Sequence, residues 1–392
     1  MRGSRGKLAG MAIAIAVMAT TGAPASAAAP VWNQGWAWGD GGGGQLGNGG
    51  HSLSQVPAQI AGDTPILRDI ATGRSHTIAL DVGGTVWAWG SNSVGQLGVS
   101  GLPEALEPVK VANLPEIVQV AANKNSSLAL DVTGHVWGWG ANDSGQLGNG
   151  TFQNGVVSPA PAQVDEVSKI AAGDDHTLAV RDGRVLAWGA NGSGQLGIGT
   201  PTAPSALPQE AKLPAGLEVV DIAAGLSHSL ALGAPDPGRT VWAWGGNQAG
   251  QLGDGTFTSQ AKPVPIKVAG ETANVIDIAA GDEHSLAVTG DTGYAWGRNN
   301  LGQLGTGDFT PPVPEAKRVQ HLTRAVEIAG GGRFSMARDD DGKVWTWGLN
   351  HEGQLGDGTF TLSATPHVVL TNIVKVATSS NSRHATAIEK AP

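Results

Sequence analysis

The 392-residue chain contains no cysteine, which excludes disulfides, thiolate metal sites and thiol nucleophiles. Charge is sparse, at 15% of residues, and the basic sign is short: 24 Lys+Arg stand against 33 Asp+Glu, for a formal net charge of -9. Nucleic-acid binding depends on Lys and Arg releasing phosphate counterions, so this balance argues against such a partner. Long apolar runs are also missing. Leu8 to Ala19 is apolar for 12 residues, too few to span a bilayer as a helix. That run follows Arg2, Arg5 and Lys7 and precedes Ala25-Ser26-Ala27, an A-x-A cleavage site. The order matches a secretory signal peptide over residues 1–27, leaving a mature chain that starts near Ala28 and has no anchor. Losing those three basic residues moves the formal charge from -9 to -12.

Tyrosine and phenylalanine are scarce, at 1 and 5 residues, yet there are 13 tryptophans. Most stand in a phrase that occurs seven times, as in "VWAWGSNSVGQLG" (86–98). Its GQLG glycines fall at Gly44, Gly95, Gly145, Gly194, Gly250, Gly302 and Gly353, at intervals of 51, 50, 49, 56, 52 and 51 residues. A fixed period of this size marks a repeat architecture, so residues 28–392 read as one domain.

Residues 57–98 show the content of one repeat. "PAQI", "LRDIAT", "HTIAL" and "TVWAWG" are short extended runs. Asp81-Val82-Gly83-Gly84 separates the last two, and such Asp and Gly residues admit the positive φ of a tight hairpin. Asp131…Gly134, Asp182-Gly183, Asp236-Pro237-Gly238, Asp291…Gly293 and Asp341-Gly342 repeat the junction. Four short strands cannot bury both faces alone, whereas seven such sheets set radially bury each other's. The expected fold is therefore all-β, a seven-bladed β-propeller of four-stranded blades. Twelve tryptophans, with Leu186 and Tyr294, fill the alternating slots of the W-x-W-G strand. Period two puts both slots on one sheet face, as packing between blades requires.

The ends predict how the ring closes. The chain enters at a W-x-W-G strand, and its last strands, "IVKVATSS" and "RHATAI", have no W-x-W-G after them. The strand at His384–Ile388 should pair beside Gly35–Gly39, hiding two edges.

The period, "GQLG" and the "IAAGxxHSLAL" pattern together resemble the regulator of chromosome condensation repeat, over about residues 32–390. The resemblance implies a seven-bladed propeller. Nuclear members of that family bind chromatin and catalyse nucleotide exchange on a small GTPase, using a wedge-like insertion in one blade. Acidic charge, the export signal and the lack of an outsized repeat point away from both activities, and exchange stays as an implication of the family label. Certain secreted bacterial β-lactamase inhibitor proteins are similar propellers that bind their enzyme through loops on one face. Aromatics often precede the G-x-x-H histidine there. Here the corresponding loops supply Arg74, Lys124, Asp174, Asp175, Leu226, Asp282, Glu283 and Arg333, with Phe334 in the sixth histidine slot. These nine residues form the expected partner-binding set, and their charges suggest a polar partner. The expected function is a secreted, monomeric, non-catalytic scaffold that binds an extracellular or cell-envelope protein. Inhibition of a secreted enzyme such as a β-lactamase is the alternative.

Chemical motifs offer little against this reading. His76, His176, His228 and His284 recur, but Ser126 and Phe334 replace them elsewhere and His384 comes two residues late. A ring of metal ligands would not tolerate those replacements, so each histidine is read as fixing its loop through a backbone bond. Asp174-Asp175 and Asp282-Glu283 sit two repeats apart and read as solvated loop residues. G-x-G-x-x-G at Gly42–Gly47 and Gly192–Gly197 is the GQLG loop with an extra glycine, and no helix follows to receive phosphate. G-x-S-x-G, HExxH and Walker-type sequences are absent. No enzyme activity, cofactor or metal is therefore expected. The Asn before each loop, such as Asn92, reads as a turn residue. Phe152, Phe257, Phe309 and Phe360, in "GTF" or "GDF", read either as caps between blades or as a recognition surface.

Overall fold

The computed structural model describes residues 35–62, 66–201, 203–234, 239–268 and 274–390. The leader and the Asp236-Pro237-Gly238 junction lie outside them. The described residues form seven four-stranded antiparallel sheets and no helix. Blade 1 runs outward from the axis through Leu67–Thr72, His76–Asp81, Val86–Ser91 and Glu104–Lys110. Blades 2 to 6 repeat this order, beginning at Ile117, Val167, Glu218, Asp277 and Ala325.

Blade 7 closes the ring as the termini predict. Ile373–Ala377 and His384–Glu389 supply its inner strands, and Gly35–Gly39 and Ser54–Gln59 its outer ones. Gly35 pairs with Ile388 and Gly39 with His384 in an unbroken register. Residues 57–60 read as the first run of a repeat, yet they continue the outer strand of blade 7. The sequence repeat is thus offset from the blade by one strand.

The core lies between blades. Ile78, Leu80 and Leu97 of blade 1 pack with Ile117, Val120 and Trp139 of blade 2. The second tryptophan of each W-x-W-G strand is fully buried: Trp38, Trp89, Trp139, Trp188, Trp244, Trp296 and Trp347. Burying one such ring contributes up to about 4–6 kcal/mol. The first-slot rings, such as Trp87 and Trp137, are half-buried. Each buried indole lies on the last glycine of the preceding blade's GQLG loop. A Cβ on Gly253 would come within 2.7 Å of Trp296, and this glycine's φ is +77°. Both the close approach and the left-handed backbone require glycine.

The Asp-Gly hairpins do more than turn. Asp81 Oδ1 accepts from the backbone N–H of Gly83 and Thr85, while its Oδ2 accepts from Trp87 Nε1 at 3.0 Å. Asp131 with Trp137 and Asp339 with Trp345 repeat the arrangement. A hairpin cap thereby also satisfies the polar edge of the half-buried tryptophan.

Candidate interaction face

Every innermost strand runs toward the same end of the propeller; four leave it by a Gly-x-x-His loop, and blades 2, 6 and 7 leave it by loops leading to Ser126, Phe334 and His384. The third strand of each blade runs the same way, so its GQLG loop emerges at that end too. The Ser91 N–H bonds the Ser75 carbonyl at 2.8 Å, joining the two loop sets. The hairpins occupy the opposite end. The phenylalanine loops follow GQLG directly, so they form the outer rim of the histidine-loop face.

The histidines are fixed in a way the sequence did not suggest. His76 Nε2 lies 2.9 Å from Ser127 Oγ of the next blade, and His176, His228 and His284 meet Ser229, Ser285 and Ser335 alike. His384 meets Thr77 across the closure at 2.8 Å. Each hydroxyl donates to a GQLG glutamine carbonyl, as Ser285 does to Gln251 at 2.7 Å. The buried tryptophan donates to that same carbonyl, Trp296 to Gln251 at 2.9 Å. Because the hydroxyl proton is spent, the histidine must be the donor, and the ring is neutral. Burial pushes these pKa values down, to about 3 for His228 and about 4 for His176. The expected backbone bond is thus replaced as the main contact by an inter-blade lock. The Nε2 atoms point into blade seams, away from any shared metal.

Asp174 and Asp282 correct the reading of solvated loop acids. The seventh loop is two residues longer than its counterparts and reaches across the axis. Asp174 accepts from Ser380 Oγ at 3.0 Å and from Asn381 Nδ2, while Asp282 accepts the Asn381 backbone N–H at 2.7 Å. Blades 3, 5 and 7 are tied together there, and Ser379 donates to the Thr72 carbonyl of blade 1. Asp174 is only 1% exposed. Burial, then the charge of Asp282, raises its pKa to about 7. Burial raises Asp282 to about 6, against the Asn381 N–H and Arg333. Two acids far apart in sequence, Asp174 buried and Asp282 partly so, meet the same axial plug.

Phe334 is a second correction. It is 0% exposed and packs with Trp38, Met336 and Ala385, so it cannot touch a partner. The remaining positions surround the plug. Arg74, Leu226 and Arg333 are exposed. Lys124 pairs with Asp175 at 3.8 Å, and Glu283 with Arg298 at 2.5 Å. Arg383, unremarked in the sequence because its loop is out of step, joins them and pairs with Glu352 at 3.1 Å.

Below the plug lies an axial cavity of about 260 Å³, which ends against Thr378 and Ser379. At one shared strand position each blade contributes a charged or amide side chain to its lining: Asp69, Gln119, Lys169, Asp221, Asp277, Glu327 and Lys375. Lys169 pairs with Asp221 at 2.5 Å, and Lys375 with Glu327 at 3.1 Å. Burial and the neighbouring Asp221 charge push Asp277 up. This ring was missed because its members share a strand position, not a residue type. A comparison of the residue immediately before the Ile or Val of each "IAAG"-type strand finds it.

The RCC1-like domain model matches residues 103–391, and the regulator of chromosome condensation (RCC1) repeat matches residues 34–80 and 67–96. Human E3 ubiquitin-protein ligase HERC2 is 37% identical over 158 residues, 39% of this chain but 3% of that protein. Arabidopsis thaliana ultraviolet-B receptor UVR8 is 34% identical over 39% of this chain and 35% of its own length. Among solved structures, human WBSCR16 superposes with a TM-score of 0.81 at 23% identity, covering 92% of this chain and 99% of that one. Saccharomyces cerevisiae Prp20p gives 0.80 at 25% identity, covering 92% of each chain. The fold, the five histidine-locked seams and a match over most of its length place this chain in the RCC1-like domain family.

Proposed function

We propose that the chain is an exported, non-catalytic, monomeric protein-binding propeller that engages its partner through the plug-side face. The observation that carries this reading is the contrast between framework and loops. Seams, hairpins and GQLG turns repeat around the ring, while the exposed loop positions carry Arg74, Leu226, Arg333 and Arg383 in turn. Prp20p, a propeller of the same fold, is described by its binding to Gsp1p and histones and is also seen bound to Kap60. What carries over is the use of the propeller as a protein-binding surface. The order of basic, apolar and A-x-A segments supports export, with an extracellular or cell-envelope partner.

Inhibition of a secreted enzyme has less behind it, since the histidine loops, where similar inhibitors often carry aromatics, here carry mostly charged side chains and Phe334 is withdrawn into the core. The test is capture of a partner from culture medium and envelope extract on immobilised residues 28–392. An identified partner whose binding falls in R74E/R333E supports the reading. Binding unchanged in that variant contradicts the choice of the loops around the plug as the contact.

A further inference from the structure

Three consecutive blades present the same feature on the outer rim of this face. Phe257, Phe309 and Phe360 follow the GQLG loops of blades 4, 5 and 6 and are 51%, 51% and 45% exposed. The sequence leaves open whether they cap the gaps between blades. They stand half-exposed, and glycine backbones bridge those gaps. The N–H groups of Gly255, Gly307 and Gly358 each donate to the next blade's outer strand at 2.9 Å.

Each tip is also anchored from beneath by a buried asparagine. Asn247 Nδ2 reaches Asp254 Oδ1 and the carbonyls of Thr256 and Thr258 at 3.1 Å, and Asn350 reaches Asp357 and the carbonyls of Thr359 and Thr361 likewise. The asparagine read as a simple turn residue is thus the peg of a rigid loop that holds its phenylalanine outward. Fixed aromatic side chains of this kind give binding energy with little ordering cost.

The tip segments themselves are acidic, with His367 of the blade 6 outer strand lying 3.3 Å from Asp357. Asp254, Asp308 and Asp357 sit beside the rings, and segments 253–260, 305–315 and 356–365 contain no Lys or Arg. Threonine hydroxyls and N–H groups bonded to Asp308 and Asp357 hold both pKa values down against slight burial, so the carboxylates are charged at neutral pH.

We propose that the Phe257–Phe309–Phe360 arc docks a basic, apolar-rich segment of a protein partner. This rests on the protein-binding reading and specifies the partner's chemistry. Apolar side chains of the segment would cover the rings, and its Lys or Arg residues would meet the aspartates, with association weakened by salt.

The test pans a display library of random short peptides against immobilised residues 28–392 and measures the selected peptides on variants. The expected result is enrichment of sequences combining Lys or Arg with Leu, Phe or Trp. Their affinity should fall about tenfold or more in F257S/F309S/F360S and hold in R74E/R333E. Circular dichroism and an unchanged melting midpoint establish that the triple variant is folded, and single substitutions serve if it is not. Enrichment of acidic peptides, equal binding to the triple variant, or no enrichment would overturn the proposal. Selected peptides that lose affinity only in R74E/R333E would overturn it while leaving the protein-binding reading intact.

Discussion

At the scale of single residues, seams are held by polar contacts that apolar packing alone would not supply. Ser285 receives a bond from His228 and donates to Gln251, so S285A leaves a buried N–H short of a partner. It should cost about 1–3 kcal/mol in denaturant unfolding. The histidines also make the fold acid-sensitive. His228 takes up a proton near 6.5 when unfolded but only near 3 when folded, so the unfolded chain binds more protons between those values. Stability from this group is complete above about pH 6.5 and declines as pH falls toward about 3. The opposite sign holds for Asp174, whose pKa is raised to about 7. Its folded form retains a proton that the unfolded chain releases near 3.8, so its contribution is lost as pH rises through about 7. Carboxyl-carbon NMR should show Asp174 titrating near 7, and D282N should lower that midpoint by removing a neighbouring charge. A midpoint near the ordinary carboxylate value would contradict the burial of Asp174 beneath the plug.

At the scale of elements, strands and their order were legible in the sequence because each W-x-W-G and "IAAG" strand repeats a pattern with period two. Hairpins were legible from Asp and Gly. The plug was not. The late position of His384 betrays a two-residue insertion, but strand patterning says nothing of where an extended loop travels. Its targets, Asp174 and Asp282, lie more than 90 positions away in sequence and meet it only through the ring. Phe334 stands in a loop-adjacent slot yet fills a seam, because the blade 6 seam uses packing where five others use a histidine lock. Deleting Ser380 and Asn381 shortens the loop to its counterparts' length and removes three bonds to the two aspartates. The variant should remain a folded propeller, with faster amide exchange in residues 378–383. Slow exchange there would mean the plug is held by other contacts.

At the scale of the whole molecule, closure by both termini was legible because each end lacks what the other holds. Gly35–Gly39 pairs with His384–Glu389 along its full length, so removing residues 383–392 strips the partner from one strand and exposes another edge. That truncation should lower the melting midpoint sharply and promote association between chains. An unchanged midpoint and a monomeric profile would contradict closure. Ring geometry also sets the functional sidedness: the plug, the histidine loops and the phenylalanine rim share one end, and the Asp-Gly hairpins hold the other. The most direct test is amide hydrogen exchange on residues 28–392, free and saturated with a captured partner. Protection should appear at the loops bearing Arg74, Leu226, Arg333, Phe257, Phe309 and Phe360, while the hairpins at 81–84, 131–134 and 341–342 stay unchanged. Protection confined to those hairpins would place the interface on the wrong end and contradict the account.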